Sequence, residues 1–174
     1  MDLTEFFTKG YVLTNNPLMF NSLEKILDTI EWEQKDYTNW YWRPKQTTEL
    51  KQALLDTHNL LATEYVDKLF PKYELGYRDL WNGIDIGADN YHSDLNEGPN
   101  AFFLLYFNTM TKDTGGGFGF RNAITKEETG FIYPKSYDII FGSQQSCWEH
   151  RAENLNTYPI DRLVANFGFV CEGL

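Results

Sequence analysis

His92, Ser93 and Asp94 form an H-x-D triplet in a chain that has only 3 histidines. In an extended segment, residues i and i+2 point to the same face, so His92 and Asp94 bring one imidazole and one carboxylate to a single point. Two histidines and one carboxylate on one face of a divalent metal leave its other positions open. That arrangement suits ferrous iron and oxygen chemistry. His150, which closes QQSCWEH, supplies the second imidazole from a distant strand. An H-x-D alone also fits a polar pair at a strand end, so its company decides its meaning. His58 lies mid-helix between Thr57 and Asn59 and reads as a surface or packing residue.

Arg162 opens the apolar run RLVANFGF near the end of the chain. A buried guanidinium there is costly without an anion. Its planar fork is suited to holding a carboxylate at two points. In AFFLLYFN, alternation puts Phe102, Leu104 and Tyr106 on one face, where the Tyr106 phenol can donate to the same anion. Two histidines, one aspartate and an anion clamp describe an iron site with an acidic co-substrate. A Ser-His-Asp hydrolase is not credible, because the available histidines are better used elsewhere.

These residues need elements to hold them. Up to about residue 75 the apolar period is helical. Asn21-Ser22 precedes LEKILDTI, with Leu23, Ile26, Leu27 and Ile30 on one side. Thr47-Thr48 opens a longer helix carrying Leu50, Leu54, Leu61, Tyr65 and Leu69, which Pro71 stops. Between them, Thr38 to Lys45 is aromatic and irregular. It reads either as a substrate lid or as a loop packed on the core. After residue 75, DLWNGIDIG, AFFLLYFN, GFGF, GFIY, YDIIFG and RLVANFGFV read as short strands separated by Gly, Pro, Asn and Asp. AFFLLYFN is apolar on both faces and must be covered on both sides. The pattern predicts a single domain, α+β overall. Its all-β core is an antiparallel sandwich or jelly roll over about 76–174, with supporting α-helices over about 1–75.

Taken in order, the pieces resemble the Fe(II)/2-oxoglutarate-dependent dioxygenases, most of all the prolyl 4-hydroxylase type. YHSD at 91–94 is followed by LLYFN at 104–108, similar to that family's strand ending in Tyr-Leu-Asn. GGGFGFRN at 115–122 is similar to its Gly-Gly-x-x-x-Phe turn and strand. GFIYPKSYDIIFGSQQSCWEHR at 130–151 resembles the segment leading into the distal histidine, and RLVANFGF at 162–169 resembles the terminal strand. The resemblance spans about half the chain. It implies a double-stranded β-helix, with His92, Asp94 and His150 as catalytic iron ligands. It also implies Arg162 and Tyr106 as the residues binding the far carboxylate of 2-oxoglutarate. Fe(II) and 2-oxoglutarate are the cofactor and co-substrate this entails, with ascorbate in support. Two departures stand out: Ser136-Tyr137 replaces a turn glycine, and Val164 replaces a small polar residue two after the arginine. The chemistry implied is hydroxylation of an unactivated C–H bond, of a prolyl residue in a peptide or protein or of a free amino acid, with release of succinate and carbon dioxide.

Trp148, on the face of His150, and Asn166, on the face of Arg162, are candidates to line the substrate pocket. Arg121 is a candidate at its mouth. Gly115-Gly116-Gly117 lacks the strand-to-helix context of a phosphate loop and reads as a hairpin.

Composition narrows the remaining classes. Among 174 residues, 13 Phe, 11 Tyr and 5 Trp suit a β-rich core or a lined pocket. A net charge of −10 disfavours nucleic-acid backbones as partners. The longest apolar run, Ala101 to Phe107, is too short for a membrane span. Cys147 and Cys171 make no disulfide framework, and no export signal is evident, so the cytoplasm is expected. The chain ends soon after its last strand, without a dimerisation helix, which favours a monomer. A non-catalytic jelly-roll binding module for carbohydrate, or a structural module, stays open as the alternative; it would need no iron, and Arg162 would have no co-substrate.

Overall fold

The computed structural model describes residues 3–36, 41–84, 89–94, 98–156 and 160–174. The chain runs α1 (Leu3–Lys9), β1 (Tyr11–Asn15), α2 (Asn21–Glu24), β2 (Trp32–Asp36), β3 (Tyr41–Pro44), α3 (Thr48–Leu61) and β4 (Tyr73–Asn82). There follow β5 (Ala101–Tyr106), β6 (Phe118–Asn122), β7 (Glu128–Ile132), β8 (Asp138–Ser143), β9 (Trp148–Ala152) and β10 (Leu163–Cys171). The strands form a seven-stranded sheet in the order β1-β8-β5-β10-β4-β3-β2 and a three-stranded sheet in the order β7-β6-β9. Every strand pairing is antiparallel. This is the jelly-roll core expected from the strand pattern, and the double-stranded β-helix that the family resemblance implies.

β5 explains why one strand can be apolar throughout. Ala101, Phe103 and Leu105 face the layer between the large sheet and the helices. Phe102, Leu104 and Tyr106 face the interior between the two sheets, with Phe118, Phe120 and Val164. The helical layer seats α3. Thr47 caps it by accepting the Leu50 N–H at 3.1 Å, and Leu50, Leu54, His58 and Leu61 are buried along one face. His58 is a packing residue, with Nε2 3.1 Å from the Gly168 carbonyl.

Several elements differ from the sequence reading. Past Leu61 the helix widens into a π-turn, Ala62–Val66, so Tyr65 and Leu69 reach the core without a continuous α-helix. LEKILDTI is helical only as the end of α2, followed by a 3-10 turn at Leu27–Thr29. Asn16 provides the side-chain cap in this region, accepting the Leu18 N–H. Leu23, Ile26, Leu27 and Ile30 nonetheless all pack on the core, because apolar spacing reports burial direction rather than backbone continuity. The segment read as helical also contains three strands: β1 beside β8, and the β2–β3 hairpin beside β4. Thr38 to Trp40 of the aromatic segment lie outside the described residues; Tyr41 to Pro44 are a strand rather than an irregular loop.

Tyr137 holds φ at +69°, in the turn where the resembling pattern carries glycine. A side chain costs on the order of 1 kcal/mol or more there. Edge-on packing against Phe20, at 5.2 Å, and a 2.8 Å bond from its N–H to the Tyr106 carbonyl keep it in place. Among the described residues, no helix is long and apolar enough to cross a membrane.

Candidate active site

His92 and His150 meet through the backbone before they meet through their rings. His92 N–H donates to the His150 carbonyl at 3.0 Å, and His150 N–H donates to the His92 carbonyl at 2.9 Å. This bridge fastens the loop carrying H-x-D to β9. His92 turns its Nδ1 toward the Asn90 carbonyl at 2.7 Å, which fixes Nδ1 as the protonated nitrogen and frees Nε2. Asp94 Oδ1 is 3.7 Å from His92 Nε2, and its Oδ2 is 3.2 Å from His150 Nε2. One ligand atom from each residue lies within 4.8 Å of the others. Phe118 stacks on the buried His150 ring at 5.5 Å, and Phe102 tilts against it at 5.3 Å. Burial raises the Asp94 carboxyl pKa, but the His150 hydrogen bond, the two histidine charges and the Gln144 amide outweigh it, leaving the carboxyl more acidic than usual. Two imidazole nitrogens and a carboxylate, converging within 4.8 Å of one another, fit a divalent metal of the iron type.

Arg162 lies at the base of the same cavity, 2% exposed. Its Nη2 donates to the Tyr106 hydroxyl at 2.8 Å, its Nη1 to the Gly83 carbonyl at 3.2 Å and its Nε to the Gly116 carbonyl at 3.4 Å. Among the described residues no carboxylate pairs with it. Burial pushes the Tyr106 phenol pKa up against the opposing pull of Arg162, so the phenol stays a donor at neutral pH. Gly116, at φ +77°, gives the guanidinium room: a Cβ there would lie 2.7 Å from Met110 Sδ and 3.3 Å from Arg162 Cδ. A buried cation with only neutral partners fits a ligand carboxylate.

The cavity encloses about 660 Å³, with the His-Asp-His cluster and Arg162 in its wall. Asn166 lines it, as the sequence suggested, and donates to the Tyr77 hydroxyl at 3.4 Å. Trp148 shares a strand face with His150 but does not line the cavity. It packs under Gly10, where a Cβ would come within 2.7 Å of its ring. Arg121 is not at the mouth either. It pairs with Glu149 at 2.5 Å and lies over the Tyr91 ring at 4.3 Å, on the outer side of the small sheet. Sequence reasoning missed Gln144, whose Nε2 donates to Asp94 Oδ2 and to the Tyr77 hydroxyl, each at 3.2 Å. It also missed Arg43 and Asp79, an ion pair in the cavity wall. Their signal was weak: Arg43 sits in a segment whose strand character was not recognised, and Asp79, at the start of the expected strand DLWNGIDIG, meets it only through the β3–β4 pairing.

No protein-family model matches the sequence, and no curated protein matches it. Solved structures do match. An oxidoreductase of the 2OG-Fe(II) oxygenase family from Burkholderia pseudomallei superposes with a TM-score of 0.69 at 13% identity, over 96% of this chain and 88% of that one. A prolyl hydroxylase from Trichoplax adhaerens, in complex with a hypoxia inducible factor oxygen degradation domain peptide fragment, gives 0.62 at 14% identity, over 98% and 87%. HygX from Streptomyces hygroscopicus, with nickel, 2-oxoglutarate and hygromycin B bound, gives 0.64 at 13% identity, over 99% and 87%. The chain has the 2OG-Fe(II) oxygenase fold. The matches to this fold include, besides prolyl hydroxylases, an epimerase from nogalamycin biosynthesis, so the fold alone does not select a substrate.

Proposed function

We propose that the protein is an Fe(II)- and 2-oxoglutarate-dependent oxygenase that hydroxylates a C–H bond. The observation that carries this reading is the coexistence, in one cavity, of the convergent His92-Asp94-His150 cluster and a buried Arg162 with no carboxylate partner among the described residues. His92, Asp94 and His150 would hold the iron. Arg162 and Tyr106 would hold the far carboxylate of 2-oxoglutarate. When bound, iron and 2-oxoglutarate supply the oxidation: dioxygen is reduced, the co-substrate becomes succinate and carbon dioxide, and one oxygen atom enters the substrate C–H bond.

The chain's own work is orientation and exclusion of water. The backbone bridge between the two histidines sets the spacing of their imidazoles. The Asn90 carbonyl selects the tautomer of His92. Gln144 holds one oxygen of Asp94 and so fixes how that carboxylate is presented. Phe102, Leu104 and Phe118 form unreactive walls that keep water from the reacting centre. The prolyl 4-hydroxylase resemblance supports a prolyl residue or a free amino acid as substrate, with ascorbate keeping the iron reduced.

An anaerobic optical titration tests this. Metal-free protein receives Fe(II) and then 2-oxoglutarate, beside the His150→Ala and Arg162→Ala variants. A visible metal-to-ligand charge-transfer band that needs both additions, and is lost or weakened in the variants, is expected. Protein that binds neither component would sink the reading and turn attention to glycan and partner screens for a binding module.

A further inference from the structure

The part of the cavity wall built by β3 and β4 carries its own charge pattern. Arg43, on β3, and Asp79, on β4, form an ion pair that lines the cavity, with side chains 34% and 28% exposed. The Arg43 guanidinium carbon lies 5.1 Å from the Tyr41 ring centre and 5.6 Å from that of Trp81, and both rings belong to the same wall. Asp79 Oδ1 also accepts the Leu80 N–H at 2.9 Å, which pins the carboxylate. A guanidinium offers five N–H donors and a carboxylate about four acceptor positions, more than this ion pair and the Leu80 bond use. Apart from the metal cluster and Arg162, the other charged residue on this lining is Arg78. It pairs with Phe167 across β10 and alternates with Leu80, so its side chain belongs to the helical face of the sheet.

A lone arginine in this wall would select an anion, and a lone aspartate a cation. A fixed, adjacent pair of both signs, flanked by aromatic rings, instead complements a small molecule carrying both signs itself. We propose that the substrate is a free α-amino acid bound as a zwitterion, its carboxylate on Arg43 and its ammonium on Asp79. This rests on the oxygenase reading and divides its two substrate options, because a residue inside a peptide has neither free group. A cavity of about 660 Å³ that must also admit 2-oxoglutarate is in the size range of small-molecule sites.

The test uses the protein loaded anaerobically with Fe(II) and 2-oxoglutarate. Each of the twenty common L-amino acids is added, followed by the N-acetyl and methyl-ester forms of the best responder, with the shift of the charge-transfer band as the readout. Expected is a saturable shift with at least one free amino acid, and binding about tenfold or more weaker when either charge is capped. Arg43→Gln should weaken the free amino acid by about tenfold yet leave its methyl ester unaffected, and Asp79→Asn should do the same for the free and N-acetyl forms. No response to any free amino acid, equal binding of the capped forms, or equal loss of every form in both variants would overturn the assignment. Should a variant lose the band itself, the capped ligands on the unmodified protein still decide. Absence of the band from the unmodified protein would reject the oxygenase reading, and this proposal with it.

Discussion

His92 and His150 are joined by a reciprocal pair of backbone hydrogen bonds, 3.0 and 2.9 Å long, so the main chain itself sets the two imidazoles at a ring-centre separation of 4.7 Å. A site built this way exists before its ion arrives. Little ordering is left to offset binding, in contrast to metal domains that fold only on loading.

Metal should therefore stabilise a protein that is already folded. At free Fe(II), or Co(II) as an air-stable stand-in, one hundredfold above the dissociation constant, the gain is about 2.7 kcal/mol. For a chain of this size that is roughly 5–10 °C in Tm. His150→Ala should keep the far-ultraviolet circular dichroism of the metal-free protein and lose the shift. Differential scanning fluorimetry with and without metal checks both; an apo protein that is unfolded until metal is added would refute the preformed site.

Gln144 is 1% exposed and donates to Asp94 Oδ2. Partners of this kind typically change metal affinity by about 10–100-fold when removed. Gln144→Leu should lower Co(II) affinity within that range by isothermal titration while leaving the apo Tm within about 1 °C. Tyr77→Phe, which removes the hydroxyl that Gln144 and Asn166 both donate to, should reproduce part of the loss.

The convergence of His92, Asp94 and His150 in one cavity with Arg162 was legible in the sequence because these groups are rare residue types in fixed order. With 3 histidines in 174 residues, few arrangements compete. The strands after residue 100 were legible for a related reason, since alternation and glycine boundaries are local signals. Gln144 was not, because an amide in SQQS has no periodicity to betray it, and its role arises only when β8 runs on toward the Asp94 loop. Arg43 and Asp79 were hidden by pairing. The β3–β4 contact joins segments from either side of α3, and no local pattern announces it. Trp148 was misjudged although its strand face was right: one face of β9 serves the cavity at His150 and a tight contact with Gly10 at Trp148.

Arg162 should show a conflict between stability and binding. A guanidinium this deep, without a carboxylate among the described residues, is held by neutral partners at a cost that a ligand anion would offset. Replacing both it and its phenol partner, Arg162→Met with Tyr106→Phe, removes the charge and the orphaned hydroxyl together. The ligand-free double variant should be more stable by about 1 kcal/mol or more, a rise of roughly 2–4 °C. Added 2-oxoglutarate should no longer raise its Tm in the presence of metal. A large fall in apo stability instead would mean that the guanidinium is a structural strut.

His58 sets a pH limit unconnected with the metal cluster. It is fully buried under Phe167 and Phe169, and burial pushes its pKa down to about 4, against the lesser upward pull of the Gly168 carbonyl. The unfolded chain titrates this group near pH 6.5. Between those values the unfolded state binds the extra proton, so acid favours unfolding across that window. The contribution is complete above about pH 6.5, falls progressively toward pH 4, and changes no further below it. At about 1.4 kcal/mol per unit, its upper bound is about 3 kcal/mol. His58→Leu removes the titration and leaves the Gly168 carbonyl without that partner, so the variant should be less stable at pH 7 yet lose less between pH 7 and 4.5. Urea midpoints of the metal-free proteins at pH 7, 6, 5 and 4.5 compare the two slopes, and parallel slopes would remove His58 as the cause of acid sensitivity.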